Sequence, residues 1–130
     1  MRIKLTSVFV KDQEKALQFY TGNLGFIKKS DIRAGEYRWL TVVSPEEPGG
    51  TQLVLEPNNN PAAGAFQQAI FNQGMPAANF FVDDVQKEYD RRKKTGMTFK
   101  SGPTKAGPAF IAVFEDTCGN LIQIGQLKGY

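Results

Sequence analysis

Glu56 closes the apolar run Leu53-Val54-Leu55, and Gln123 stands between Ile122 and Ile124 in a similar run near the other end of the chain. A carboxylate placed among aliphatic side chains is costly unless it is solvated, paired or bound to something. Arg38 and Gln123 are partners that could satisfy it from within the chain, and a ligand is the third possibility. Against a substrate with a proton next to a carbonyl, such a carboxylate is a general base, with Gln123 or Arg38 stabilising the enolate or oxyanion. Composition closes other routes. There is no histidine and only one cysteine, Cys118. A Ser-His-Asp triad, a Cys-His dyad, a His-ligated metal, an intrachain disulfide and a Cys-rich zinc site are therefore excluded within this chain. Cys118 sits in a turn with no base beside it in sequence and reads as a passive thiol.

The elements that must position these residues follow from periodicity. Residues 3–10 are rich in β-branched and aromatic side chains and predict a strand. Asp12 then caps a helix over about 13–23, whose apolar stripe is Ala16, Leu17, Phe19, Tyr20 and Leu24, ended by Gly25. Short strands are expected near 26–32, 36–43 and 51–57. Pro57-Asn58-Asn59-Asn60-Pro61 breaks the pattern, and a short helix carrying Phe66, Ile70 and Phe71 follows within 62–74. The pattern then restarts: a strand at 77–83, a helix near 85–95 capped by Asp84, and strands near 97–101, 108–115 and 120–126. Asp116-Thr117-Cys118-Gly119-Asn120 joins the last two as a tight hairpin.

The restart is a repeat in sequence as well as in pattern. Val8-Phe9-Val10-Lys11-Asp12 matches Phe80-Phe81-Val82-Asp83-Asp84, with Lys15 matching Lys87, 72 positions apart. This predicts a duplicated β-α-β-β-β unit, the first over 1–57, a linker with a short helix over 58–76, and the second over 77–130, all within one domain. Neither unit buries its sheet face alone, so the two are expected to pair.

The chain has 130 residues, 41% hydrophobic, and a net charge of +3. That size suits one compact domain with a core that needs no staples. The charge is too small to imply nucleic acid, and Arg91-Arg92-Lys93-Lys94 reads as the solvated face of a helix. No apolar run approaches the roughly 20 residues that span a bilayer, and no signal peptide is visible, so a soluble cytoplasmic protein without a membrane partner is expected.

Val10-Lys11-Asp12 leading into Ala16-Leu17-Gln18-Phe19-Tyr20 and on to Leu24-Gly25-Phe26, the closing hairpin Phe114 to Gln123, and the repeat together resemble the vicinal oxygen chelate superfamily. That group includes glyoxalase I, extradiol dioxygenases and the fosfomycin- and bleomycin-resistance proteins. The resemblance covers about residues 3–126 and implies an α+β fold of two tandem βαβββ modules forming a curved, cup-shaped mixed sheet. It also implies a homodimer, in which sheet edges are covered between chains. Metal-dependent members place four ligands on the concave side. Carried over, these positions fall on Leu5, Glu56, Ala77 and Gln123. Leu5 and Ala77 have no donor atom, and a catalytic divalent transition metal wants three or four protein ligands. No metal and no other cofactor is expected.

Strand alternation then gives the cup lining that the resemblance implies. Leu5 brings Ser7 and Phe9; Glu56 brings Val54 and Gln52; Ala77 brings Asn79 and Phe81; Gln123 brings Leu121 and Gly125. In the third strand either Arg38, meeting an anion, or Trp39, stacking on an aromatic, faces inward. The candidate ligand-binding residues are thus Ser7, Phe9, Arg38, Trp39, Glu56, Asn79, Phe81 and Gln123, with Glu56 the candidate catalytic residue. This mixture of apolar walls and a few polar groups is that of a small-molecule site. The function expected is a metal-free binding protein of the glyoxalase/bleomycin-resistance type, sequestering or carrying a neutral or anionic aromatic or amphipathic compound; a basic chain suits a strongly cationic drug poorly. The alternatives are a diverged glyoxalase-like lyase or isomerase using Glu56 as base, and a protein whose cup is vestigial and whose surface matters.

Overall fold

The computed structural model describes residues 1–127, without the side chain of Leu127. The chain forms two compact units, Met1–Gln67 and the remainder from Gln68. The first holds β1 (Leu5–Val10), α1 (Gln13–Gln18), β2 (Ile27–Ala34), β3 (Tyr37–Val43) and β4 (Gln52–Pro57). Helix α2 (Pro61–Asn72) follows, and then β5 (Ala78–Phe81), α3 (Val85–Lys94), β6 (Phe99–Ala106), β7 (Ala109–Glu115) and β8 (Leu121–Leu127). Each module has an open four-stranded mixed sheet, ordered β1-β4-β3-β2 in the first and β5-β8-β7-β6 in the second. The first strand runs parallel to the last in both, and the other pairs are antiparallel. This is the tandem βαβββ, α+β architecture that the repeat predicts.

The duplication extends to cap geometry. The side chain of Asp12 accepts from the Lys15 N–H at 3.0 Å, and that of Asp84 accepts from the Lys87 N–H at 3.1 Å. Both aspartates have φ of −148°. In the first module Val8, Val10, Leu40, Val42, Leu53 and Leu55 are buried, as are Ala16, Phe19 and Tyr20 of the helical segment. Each such aliphatic side chain contributes about 1.5–3 kcal/mol when fully covered. In the second module Tyr89 of α3 meets Phe99 edge-on at 4.8 Å, and Phe99 meets Phe114 at 5.7 Å.

Two elements differ from expectation. The helix expected over 13–23 is α-helical only to Gln18 and then widens into a π turn over Phe19–Asn23, where Leu24 N–H reaches Phe19 O at 3.2 Å. The Thr21 hydroxyl donates to Leu17 O at 2.6 Å, a local competitor for the helix ladder. Strand β6, expected over 97–101, runs from Phe99 through Gly102-Pro103 to Ala106. Proline is tolerated there because β6 is an edge strand, and register shifts on either side of Ser101 absorb the irregularity.

Candidate functional site

The helix α1 sorts the two faces of the first sheet. Gln13 donates its amide to Arg38 O at 3.0 Å and Leu55 O at 2.8 Å, pinning α1 across β3 and β4. The Arg38 guanidinium points to the same side. Its Nε donates to Asp31 Oδ1 and its Nη2 to Asp31 Oδ2, both at 2.9 Å, and Nη2 reaches Glu14 of α1 at 3.2 Å. Arg38 is only 7% exposed. These bonds hold the Asp31 carboxyl well below the usual carboxylate range and raise the Arg38 guanidinium above its ordinary value, the hydrogen bond between them being the main cause. Arg38 therefore lies apart from the other candidates, and strand alternation puts Trp39 on the opposite face.

That opposite face is laid out by register. Phe9 pairs with Glu56 and Ser7 with Val54; Thr41 also pairs with Val54, which sets Trp39 across from Glu56; Ile32 pairs with Trp39. Phe9, Glu56, Trp39 and Ile32 thus form one cross-strand row, with Ser7, Val54, Thr41 and Ser30 in the next. Phe9, Trp39 and Glu56 are half-buried, and Ser7 is exposed. Tyr37, which alternation also puts on this face, lies close enough to Glu56 for its phenol to feel the carboxylate. Partial burial first, and then the negative charge of Glu56, push the Tyr37 phenol above its ordinary value. A carboxylate bordered by Phe9, Trp39 and Tyr37 can order a hydroxyl or amine of a flat ligand while the rings cover its faces. Tyr37 escaped the sequence reading, although it stands two residues before Trp39 and alternation alone would have found it.

In the second module Asn79 pairs with Gln123, Gln123 with Val113, and Val113 with Ser101. Phe81 pairs with Gly125, and its ring lies 3.7 Å from where a Cβ on that glycine would stand. Phe81 is 59% exposed, Asn79 is exposed and Gln123 half-buried. At the outer end of the Asn79–Gln123 row opens a cleft of about 500 Å³, lined by Phe71, Asn72, Gly74, Lys100, Ser101, Val113 and Leu121. The closing hairpin is structural: buried Asp116 accepts from Cys118 N–H at 2.8 Å, Asn120 N–H at 3.0 Å and the Asn120 amide at 2.7 Å.

Metal-ligand chemistry does not fit these residues. Leu5 and Ala77 carry no donor in their side chains, and among the described residues no group of three His, Cys, Asp or Glu side chains is placed to hold an ion.

The fold defines a class of proteins built from two tandem βαβββ modules, and comparison with known proteins gives its name. Residues 2–124 match the family model of the Glyoxalase/Bleomycin resistance protein/Dioxygenase superfamily, to which the chain belongs. The protein YurT of Bacillus subtilis strain 168 is 58% identical over 97% of this chain and 99% of its own length. A probable lactoylglutathione lyase of a Synechocystis species is 30% identical over 93% of this chain and 92% of its own. Among solved structures, UcmS2 superposes with a TM-score of 0.82 at 31% identity, covering 96% of this chain and 97% of that one. TnmS3, an antibiotic binding protein from a Streptomyces species, does so with a TM-score of 0.75 at 27% identity, covering 98% and 97%. Among the described residues no helix is long and apolar enough to cross a membrane.

Proposed function

We propose that this protein binds a small aromatic or amphipathic molecule without a metal, and that it works as a homodimer. The observation that carries the binding reading is the set of incompletely buried rings, Phe9, Tyr37 and Trp39, gathered around Glu56 on the sheet face turned away from α1. A face that served only as core would seldom keep a carboxylate there, because an ionised group is costly to bury among apolar side chains. Ser7 extends this surface in the first module, and Asn79, Phe81 and Gln123 supply an equivalent mixture in the second. The similarity to an antibiotic binding protein supports the reading. The lack of donors at Leu5 and Ala77 supports the metal-free state, and elemental analysis is its test: one chelator-resistant zinc, nickel or iron per chain would refute it.

A second reading, a lyase or isomerase with Glu56 as general base, is favoured by the half-buried position of Glu56 among Phe9 and Trp39 and by the relative named as a probable lactoylglutathione lyase. In it, the carboxylate takes the proton from the carbon next to a substrate carbonyl. One experiment separates the two. A thermal-shift screen of small aromatic and α-keto compounds finds a ligand, and its binding and conversion are compared in the wild type and in Glu56→Gln. Clear stabilisation without conversion is the expected result. Conversion by the wild type that falls by about two to four orders of magnitude in Glu56→Gln, at little-changed affinity, would establish the enzyme instead.

A further inference from the structure

Between the pairs Phe99–Phe114 and Ser101–Val113, β6 spends two residues where β7 spends one, so Lys100 is the extra residue of a β-bulge. A regular strand would send Lys100 and Ser101 to opposite faces. The bulge re-aims one of them, and both line the 500 Å³ cleft. The first module repeats the irregularity between Lys28 and Ser30, with Lys29 as the extra residue, so Lys-Ser occupies both bulges. There the Thr41 hydroxyl sits opposite and accepts the Ser30 N–H at 3.1 Å. Val113 stands opposite in the second module, with no oxygen to offer, and its side chain forms apolar wall instead.

The cleft is accordingly two-sided. Phe71, Val113 and Leu121 are apolar, while Lys100, Ser101 and Asn72 sit on its polar side. All three can donate. Asn72 uses its carbonyl oxygen to accept from Gln68 at 2.9 Å, which leaves its NH2 group for a ligand. The Lys100 ammonium lies 3.5 Å from Glu115 in a loose pair, its side chain 52% exposed. Such an exposed pair is weak and readily exchanged. The volume is within the range of small-molecule sites, about 300–1,000 Å³.

We propose that this cleft takes the carboxylate end of an aromatic acid, with Lys100 as its counter-charge, Ser101 and Asn72 as donors, and Phe71, Val113 and Leu121 against the ring. The assignment rests on the small-molecule reading and gives its ligand a charge. It agrees in sign with the net charge of +3. Glu115 tempers the site, since it competes for the same ammonium.

The test is calorimetric titration at low salt with 2-naphthoate and its neutral isostere 2-naphthamide. The wild type should prefer the acid by about tenfold or more, the usual scale for one charge-assisted hydrogen bond. Lys100→Gln should erase that preference while leaving naphthamide affinity within about twofold, and Glu115→Gln should widen it. Both positions are solvent-accessible, and an unchanged melting temperature confirms folding. Equal affinity for both probes in the wild type, or a preference that survives in Lys100→Gln, would overturn the assignment and leave the small-molecule reading standing. Binding of neither probe would also overturn it, while the broader reading is judged separately by the thermal-shift screen.

Discussion

Tyr37 and Glu56 are electrostatically linked in a way that can be followed in solution. Because the folded state favours the neutral phenol, Tyr37 should ionise above its ordinary value of 10.0. Its contribution to stability is present below that value and is lost as pH rises through the raised one. Ultraviolet titration of the wild type against Tyr37→Phe isolates this one phenol, and Glu56→Gln should move its ionisation back down, since it removes the charge that opposes the tyrosinate. An unchanged titration in Glu56→Gln would mean that the pair does not form. Asp31 has the opposite sign. Its folded value is depressed by Arg38, so the stabilisation is complete above about pH 4 and is lost as pH falls toward the depressed value. Urea unfolding from pH 6 downward should show a loss of stability that Asp31→Asn flattens. Arg38 itself illustrates what a strand sequence hides: Arg38 and Trp39 are adjacent and both plausible in a site, and only the phase of β3 against α1 separates them.

At the scale of elements, the three aspartates at element ends are not equivalent. Asp12 and Asp84 cap exposed helix starts, their side chains accepting from the Lys15 and Lys87 N–H groups. Replacing either with alanine should cost about 1 kcal/mol, and because they cap separate modules the two losses should add. Asp116 is fully buried and accepts from the Cys118 N–H, the Asn120 N–H and the Asn120 amide in the β7–β8 hairpin. Asp116→Ala strands buried donors, at about 1–3 kcal/mol for each one left unsatisfied. Chemical denaturation should therefore rank Asp116→Ala well below the two cap variants. Comparable losses in all three would show that the hairpin relaxes without its aspartate. The helix that widens at Phe19 and the strand that crosses Gly102-Pro103 mark where local rules meet context. A π turn is set by which carbonyl an N–H finally reaches, and proline is acceptable in β6 because that strand has a neighbour on one side only.

For the whole molecule, the prediction is the homodimer. β1 and β5 are edge strands in their sheets, and Leu5 on β1 is 47% exposed. Edges with apolar side chains are usually covered. Sedimentation at micromolar concentration should give twice the chain mass, and a species of 14.4 kDa would contradict the dimer. A paired Leu5→Lys variant should shift the equilibrium toward monomer without lowering helix content.

The amino-acid sequence by itself determined the duplication, the caps at Asp12 and Asp84, the β-α-β-β-β succession along each repeat and the absence of imidazole chemistry. These are local or compositional properties: a cap needs four consecutive residues, and a missing residue type is missing in any fold. With the superfamily resemblance to set the phase, alternation along single strands also placed Glu56 and Phe9 among the candidates, and it left Arg38 and Trp39 as alternatives. The tertiary structure decided what depends on partners distant in sequence. Arg38 is committed to Asp31 and Glu14 because β2 and α1 flank β3 on that side. Tyr37 meets Glu56 because β3 lies beside β4. Lys100 and Ser101 share a face only because a bulge breaks the period of two on which strand reading depends.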